Sequence, residues 1–230
     1  MSLILQITTA ATDSLTVATI KPEETLSMWD LALKGGPIMV PIALCSVIAI
    51  YIIFERYFAI RKSSKDDPNF MNNIRDFISN GNIDAARSLC KNTQSPIARM
   101  IEKGVSRIGK PLGDIEKAIE NIGNIEVVKM EKGLSLLATV AGAAPMLGFL
   151  GTVTGMIKAF YNMSKAGKTI DISLLSGGMY EAMVTTVAGL IVGIFALVAY
   201  NLLAAMVEKV VFKMETTSIE FMDLLQEPAK

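Results

Sequence analysis

Three charge-free stretches divide the chain: Gly35 to Phe54, Leu134 to Ile157 and Ala182 to Val207. Each is close to or longer than the roughly 20 residues that cross a ~30 Å hydrocarbon core as a helix, so the pattern predicts three transmembrane helices. Between the first two, polar positions return with helical spacing. Phe70, Ile74, Phe77 and Ile78 mark one amphipathic face, Ile83, Ala86, Leu89 and Cys90 mark another, and Gly81 and Asn82 separate them. After Pro111 and Gly113 a third stripe begins, carrying Ile115, Ala118, Ile119, Ile122, Ile125 and Val128. No breaker is evident before Leu134, so one long helix is predicted to run from this stripe into span two. A similar projection is predicted beyond span three, through Met206, Val210, Val211 and Met214 to Leu225.

Basic residues near the span ends set the expected orientation. Arg56, Arg61, Lys62 and Lys65 follow span one, and Lys129 and Lys132 precede span two, which places that side in the cytoplasm. Only Lys21 and Lys34 precede span one; Lys158, Lys165 and Lys168 in the second turn weaken the asymmetry without reversing it. The N-terminus is thus expected outside and the C-terminus inside. Met1 to Ala11 lacks the basic start of a cleaved signal peptide, so span one is expected to act as its own insertion signal. Trp29, Tyr57, Tyr161 and Tyr180 fall near the predicted water boundaries. The resulting division is a periplasmic segment over 1–34, span one over 35–58, a cytoplasmic helical domain over 59–133 and span two over 134–160. A periplasmic turn over 161–178, span three over 179–207 and a cytoplasmic helix over 208–230 complete it.

Composition narrows the chemistry. The 230 residues hold 22 basic and 22 acidic side chains, so net charge points to no particular partner, and the scattered basic residues form no stripe for nucleic acid. Histidine is absent, which removes the commonest general base and metal ligand, and neither a metal nor a cofactor is expected. Cys45 and Cys90 lie in segments of different character and support no disulfide framework.

Glu181 is the most informative residue, because it stands at the edge of an apolar run. With Asp171 or Ser173 as N-cap and a helix starting at Ile172, it lies about 15 Å along the axis. A carboxyl buried there could exchange protons; one at the interface would do nothing special. Thr185, four residues on, faces the same way, while Thr186 is turned toward a neighbouring helix. Span two adds Ser135, Thr139, Thr152 and Thr154, each of which could simply bond its own helix backbone. Gly151 with Gly155, and Gly189 with Gly193, form small-xxx-small pairs suited to close helix packing. Pro145 within span two is an ordinary kink or a hinge.

The run from Ala144 to Met156, APMLGFLGTVTGM, followed by Tyr180 to Leu190, YEAMVTTVAGL, resembles the signature of the MotA/TolQ/ExbB proton-channel family, and its ExbB branch most closely. The resemblance implies an all-α integral membrane protein of a bacterial inner membrane, assembled as a homo-oligomeric ring, a pentamer, around the spans of an ExbD-like dimer. The ExbD-like partner would carry a membrane aspartate, and a TonB-like transducer would receive the energy for outer-membrane import. By position, Glu181 matches the family's membrane glutamate, Thr152 the threonine of the span-two motif and Thr186 the threonine five residues after the glutamate. Helix geometry instead favours Thr185 beside Glu181. A TolQ-like subunit serving envelope integrity shares the same channel physics. A passive scaffold, whose long helices dock soluble proteins, would have no use for Glu181. Four spans are usual for MotA-like chains and three are predicted here; too few spans and no inverted repeat argue against a small-molecule transporter.

Overall fold

The computed structural model describes residues 35–63, 68–165 and 172–226, with the backbone alone for 172–174. The segment 1–34, Lys65, Lys168, the proposed cap Asp171 and residues 227–230 lie outside the described residues. The described residues form α-helices and no strand: α1 (Met39–Ser63), α2 (Phe70–Ser79), α3 (Ile83–Asn92), α4 (Pro96–Val105), α5 (Leu112–Glu131), α6 (Leu134–Lys165) and α7 (Ile172–Gln226). Among the described residues three helical stretches, containing α1, α6 and α7, are long and apolar enough to cross a membrane.

Local chemistry explains the starts of α1, α3 and α4. Gly36, at φ +67°, turns the chain into Pro37, and Met39 N–H donates to the Gly36 carbonyl (3.1 Å) as α1 begins. Gly81 (φ +70°) separates α2 from α3, and the Asn82 side chain accepts from Ala85 N–H (3.2 Å) to cap α3. Helix α4 follows Ser95, whose Oγ accepts from Ala98 N–H (3.1 Å), with Pro96 in the first turn where its missing donor costs nothing. Sequence reading passed over α4, although Ser-Pro before an apolar run is a start signal.

One expectation is corrected. The stripe of α5 does not continue unbroken into span two, because Lys132 leaves helical geometry and Gly133 takes φ +86°. A left-handed position of this kind suits glycine and ends helices, so Gly133 was the missed breaker. The helix restarts at once, with Leu137 N–H donating to the Gly133 carbonyl (3.1 Å). The α5 stripe also changes phase. Ile115, Ala118 and Ile119 are buried as expected, but Ile125 is 50% and Val128 67% exposed. The buried face runs through Gly123, Glu126 and Met130 instead, which keeps the helical period at the price of burying a carboxylate.

Helix α7 is a single rod of 55 residues, about 80 Å long at 1.5 Å per residue. Its upper half packs along α6, and α1 lies against both. In its lower half Leu203, Val207, Val210, Met214, Thr217, Phe221 and Leu224 are buried at alternating spacings of four and three residues. That spacing keeps one seam facing the same neighbours, as in coiled coils. Phe221 fits against Gly104 of α4, where an added Cβ would lie 2.6 Å from its ring. The core continues through Ile74, Cys90, Ile101 and Ile119. Burial, reinforced by nearby Glu102, pushes the Cys90 thiol up to about 12, so it behaves as a small apolar side chain; both Cys45 and Cys90 are free.

Glu126 ties α4 to α5. Only 3% exposed, it pairs with Arg99 of α4 and with Lys129 (2.7 Å). Arg56, two turns before the end of α1, donates to the Lys129 carbonyl (3.2 Å) in the last turn of α5, where a cation is favoured. Burial alone would raise the Glu126 carboxyl, but hydrogen bonds and charge from Arg99 and Lys129 outweigh it and hold it below the usual range. A carboxyl lowered in the folded state stabilises the fold above its unfolded value and loses that contribution as pH falls through its folded value. Glu126→Gln is therefore expected to cost about 1–3 kcal/mol near neutral pH, with the difference from the parent shrinking in acid. Thermal unfolding of the two detergent-solubilised proteins across an acid titration measures this, and a constant difference refutes the ionic role.

Candidate functional site

The seam between α6 and α7 is set by positions with no room for a side chain. A Cβ on Gly189 would lie 2.5 Å from the Ala144 carbonyl oxygen, and one on Gly155 would lie 2.9 Å from Ala182 Cβ. On Gly178 it would meet Ala159 Cβ at 2.6 Å, and on Gly148 the Thr185 carbonyl at 3.0 Å. The backbones thus touch over several turns, the arrangement that small residues permit between membrane helices. All four glycines of the two small-xxx-small pairs lie on this seam. Gly151 accommodates the Thr185 side chain, whose Oγ1 would be 2.1 Å from an added Cβ.

Pro145 lies inside α6, and its ring fills the space opposite Gly193, where a Cβ would be 2.5 Å from Cγ. A proline at 145 leaves the Ala141 carbonyl without its intrahelical donor. The α7 backbone comes over that same carbonyl, since a Gly193 Cβ would lie 3.1 Å from its oxygen. Pro145 is thus a packing element of the seam.

The hydroxyls divide. Thr185 is 1% exposed and donates to the Ala182 carbonyl (2.8 Å) within its own helix. Thr186 reaches across the seam to the Gly148 carbonyl (3.0 Å), with the Ala182 carbonyl also near (3.3 Å). Geometry had placed Thr185 with Glu181 and Thr186 toward a neighbour, and both orientations are observed. Thr152 is partly exposed and donates to Phe149 O (2.6 Å); Thr154 and Thr139 also bond carbonyls of their own helix. Ser135 lines a different groove, beside Gly133.

Glu181 lies in the third turn of α7, with its side chain 22% exposed. It lines a cavity of about 210 Å³ together with Thr185, Thr154, Gly151 and Gly155. The segment before α1 closes one wall through Gly35, Pro37 and Ile38. Gly36 abuts the carboxylate: a Cβ there would fall 1.9 Å from Glu181 Oε1. Lys158 of α6 also lines this cavity and donates to Glu181 Oε2 at 3.1 Å. Thr152 and Thr186 are not among the cavity's lining residues. Glu181, Thr185 and the glycine pair Gly151 and Gly155 are therefore brought together, while Thr186 joins the seam one turn away.

Sequence reasoning missed Lys158, which it counted only toward orientation, and Gly36. The signal for Lys158 was its spacing of three and seven residues from Gly155 and Gly151, which puts it beside the same face. For Gly36 no local signal existed, because its partner is 145 positions away along the chain (181 − 36).

Three apolar helices, with an ion pair and threonine hydroxyls gathered at the seam of two of them, define a multi-span α-helical membrane protein with an ionisable site. The chain belongs to the MotA/TolQ/ExbB proton channel family, whose model matches residues 92–216 and so takes in α6 and α7 as far as Thr216. Among its relatives is a Synechocystis sp. protein named ExbB-like 1, 31% identical over 189 residues, covering 80% of this chain and 73% of that protein. An ExbB homolog of Methanothermobacter thermautotrophicus is 27% identical over 184 residues, covering 79% of this chain and 64% of the relative. Biopolymer transport protein ExbB of Neisseria meningitidis is 25% identical over 189 residues, covering 74% and 84% respectively.

The seam predicts a contrast between two glycines of the same helix pair. Gly189→Ala forces α6 and α7 apart and is expected to destabilise by about 1–3 kcal/mol, whereas Gly142→Ala stays within about 0.5 kcal/mol or gains slightly. Gly142 meets nothing within 4 Å, so it isolates packing from helix propensity. Melting temperatures of both variants in detergent test this; equal effects would mean that the close approach is not limiting.

Proposed function

We propose that the chain is the ExbB-like subunit of a proton channel in a bacterial inner membrane, passing proton-motive force to a TonB-like transducer for outer-membrane import. The observation that carries this reading is Glu181: an ionisable side chain in a cavity at the seam of two apolar helices, where charge is costly and is retained for function. Membership of the proton channel family supports it, and the ExbB names of the relatives favour this role over a TolQ-like one.

The proposed orientation follows the basic residues Arg56, Arg61, Lys62, Lys129 and Lys132, which put α2 to α5 and the end of α7 in the cytoplasm and the N-terminus outside. Copies assemble as a ring, a pentamer by family resemblance, around the spans of an ExbD-like partner. The subunit offers apolar faces for such assembly and for lipid, among them Phe149 and Ile157 of α6 and Val187 and Ile194 of α7. A partner aspartate that accepts a proton becomes neutral and turns past this apolar wall. When ionised it is drawn to polar groups at the seam, the hydroxyls of Thr152, Thr185 and Thr186 and the protonated form of Glu181, and the alternation drives rotation.

Glu181→Gln is expected to lower import that depends on proton-motive force by at least about tenfold, as loss of a proton-carrying group does in acid–base steps. Thr186→Val, which removes the bond to Gly148, is expected to lower it less. The measurement is uptake through an energised outer-membrane transporter in cells carrying each variant, with a protonophore as the zero. Full uptake in Glu181→Gln would favour a scaffold, and an envelope defect with normal uptake would favour the TolQ-like role.

A further inference from the structure

Helices α1 and α7 touch through small residues at one level and leave a gap beside them. Ala49 of α1 and Ala196 of α7 are buried there, while Ile50, Phe195 and Leu202 stand exposed around them. The result is an open groove of about 480 Å³ within the apolar stretches of both helices, lined among the described residues by apolar side chains and Ser46. Walls of this kind lose dispersion contacts when nothing lies against them, and in a bilayer the material at hand is hydrocarbon chain.

The faces that line the groove turn basic at its end. On α1, Ser46, Ile50, Ile53 and Tyr57 follow at steps of four, three and four residues, so Tyr57 continues the side that faces the groove. Its hydroxyl accepts from Arg61 Nη1 (3.2 Å), and that guanidinium lies 5.8 Å from the ring centroid, which turns Arg61 back toward the apolar stretch. On α7, Phe195, Leu202 and Lys209 follow at steps of seven, close to two helical turns, which keeps Lys209 on the groove side. Beyond it, Lys209 and Lys213 line a second cavity of about 610 Å³. Nearby carboxylates are engaged elsewhere. Glu220 of the second cavity pairs with Arg75 (3.5 Å), Glu55 pairs with Arg56, and Glu208 lines the groove toward α5.

We infer that this face binds an anionic phospholipid: an acyl chain fills the groove between α1 and α7, and Arg61 and Lys209 hold the phosphate at headgroup level. A phospholipid joins both chemistries in one molecule, whereas a further membrane helix would fill the groove and leave the cations without an anion. The flexible lysine stem lies along apolar surface while its ammonium reaches the headgroups, and the arginine fork suits phosphate oxygens. A phenol at this depth can accept from the guanidinium and donate to the phosphate at once. The site requires only that α1 and α7 span the bilayer. It is separate from the seam of α6 and α7 and from any role of Glu181.

The test is native mass spectrometry of the detergent-purified full chain given equal amounts of dioleoylphosphatidylglycerol and dioleoylphosphatidylcholine. The parent is expected to retain the anionic lipid preferentially, and Arg61→Gln and Lys209→Gln are each expected to lower that preference about fivefold. Lys62→Gln, one residue from Arg61 but turned away from the groove, is expected to leave it unchanged. Ala199→Leu fills the groove and is expected to lower retention of both lipids; if it fails to fold, Ser46→Leu is read in its place. Equal retention of the two lipids by the parent overturns the inference, as does a loss in Lys62→Gln as large as in Arg61→Gln, which would make general surface charge the cause. Displacement of the lipid by an equal concentration of glycerol 1-phosphate would assign the cations to free phosphate and overturn it too. A parent that retains neither lipid would mean that protein, from a second copy or another membrane helix, fills the groove instead.

Discussion

Two helix backbones can touch only where neither carries a side chain between them, and that constraint organises this protein. In lipid, helices gain nothing by hiding apolar surface from one another, so association depends on close packing and on bonds across the contact. Gly148, Gly151, Gly155, Gly178, Gly189 and Gly193 provide the contact, and Thr186 adds a bond to the Gly148 carbonyl. Even Pro145, which costs α6 a backbone bond, serves this seam by filling the space left by Gly193. The polar site follows as a consequence, because helices held this closely bring Lys158 and Glu181 to one flank.

Helix α7 carries that geometry into a different setting. Its upper half meets α6 through small residues, while its lower half presents Val210, Met214 and Phe221 to α4, α5 and their neighbours in an apolar core like that of a soluble bundle. One continuous rod therefore joins a seam held by packing to a core held by burial. Nothing between Ile172 and Gln226 interrupts the helix. On the proposed reading, this is the mechanical link between ion exchange and the helical domain.

Charge is handled in two ways. Glu126 is almost fully enclosed and held by two cations, with Arg56 bonded to the end of the same helix, an arrangement that fixes structure. Among the described residues Glu181 has one cation, with partial exposure and a cavity beside it. The first carboxylate has its acceptor sites taken by permanent partners, and the second keeps room for another group to approach. On the proposed reading, that difference in surroundings, and not the residue type, separates a structural ion pair from a site that exchanges protons.

Much of this was legible in the chain itself. Charge-free length determined the three spans, period determined the faces of α2 and α3, and the order of motifs in α6 and α7 pointed to the family. Those signals are local, set by what each residue prefers within a few turns. What failed was also local in cause: Gly133 was overlooked as a breaker, α4 was passed over, and the α5 stripe was followed along its apolar residues when the buried face included Glu126. The partnership of Lys158 with Glu181, the fit of Gly36 against the carboxylate and the bond from Thr186 to Gly148 were decided only by tertiary structure. Each joins residues far apart in sequence, and a few ångströms of helix approach determine whether such groups meet.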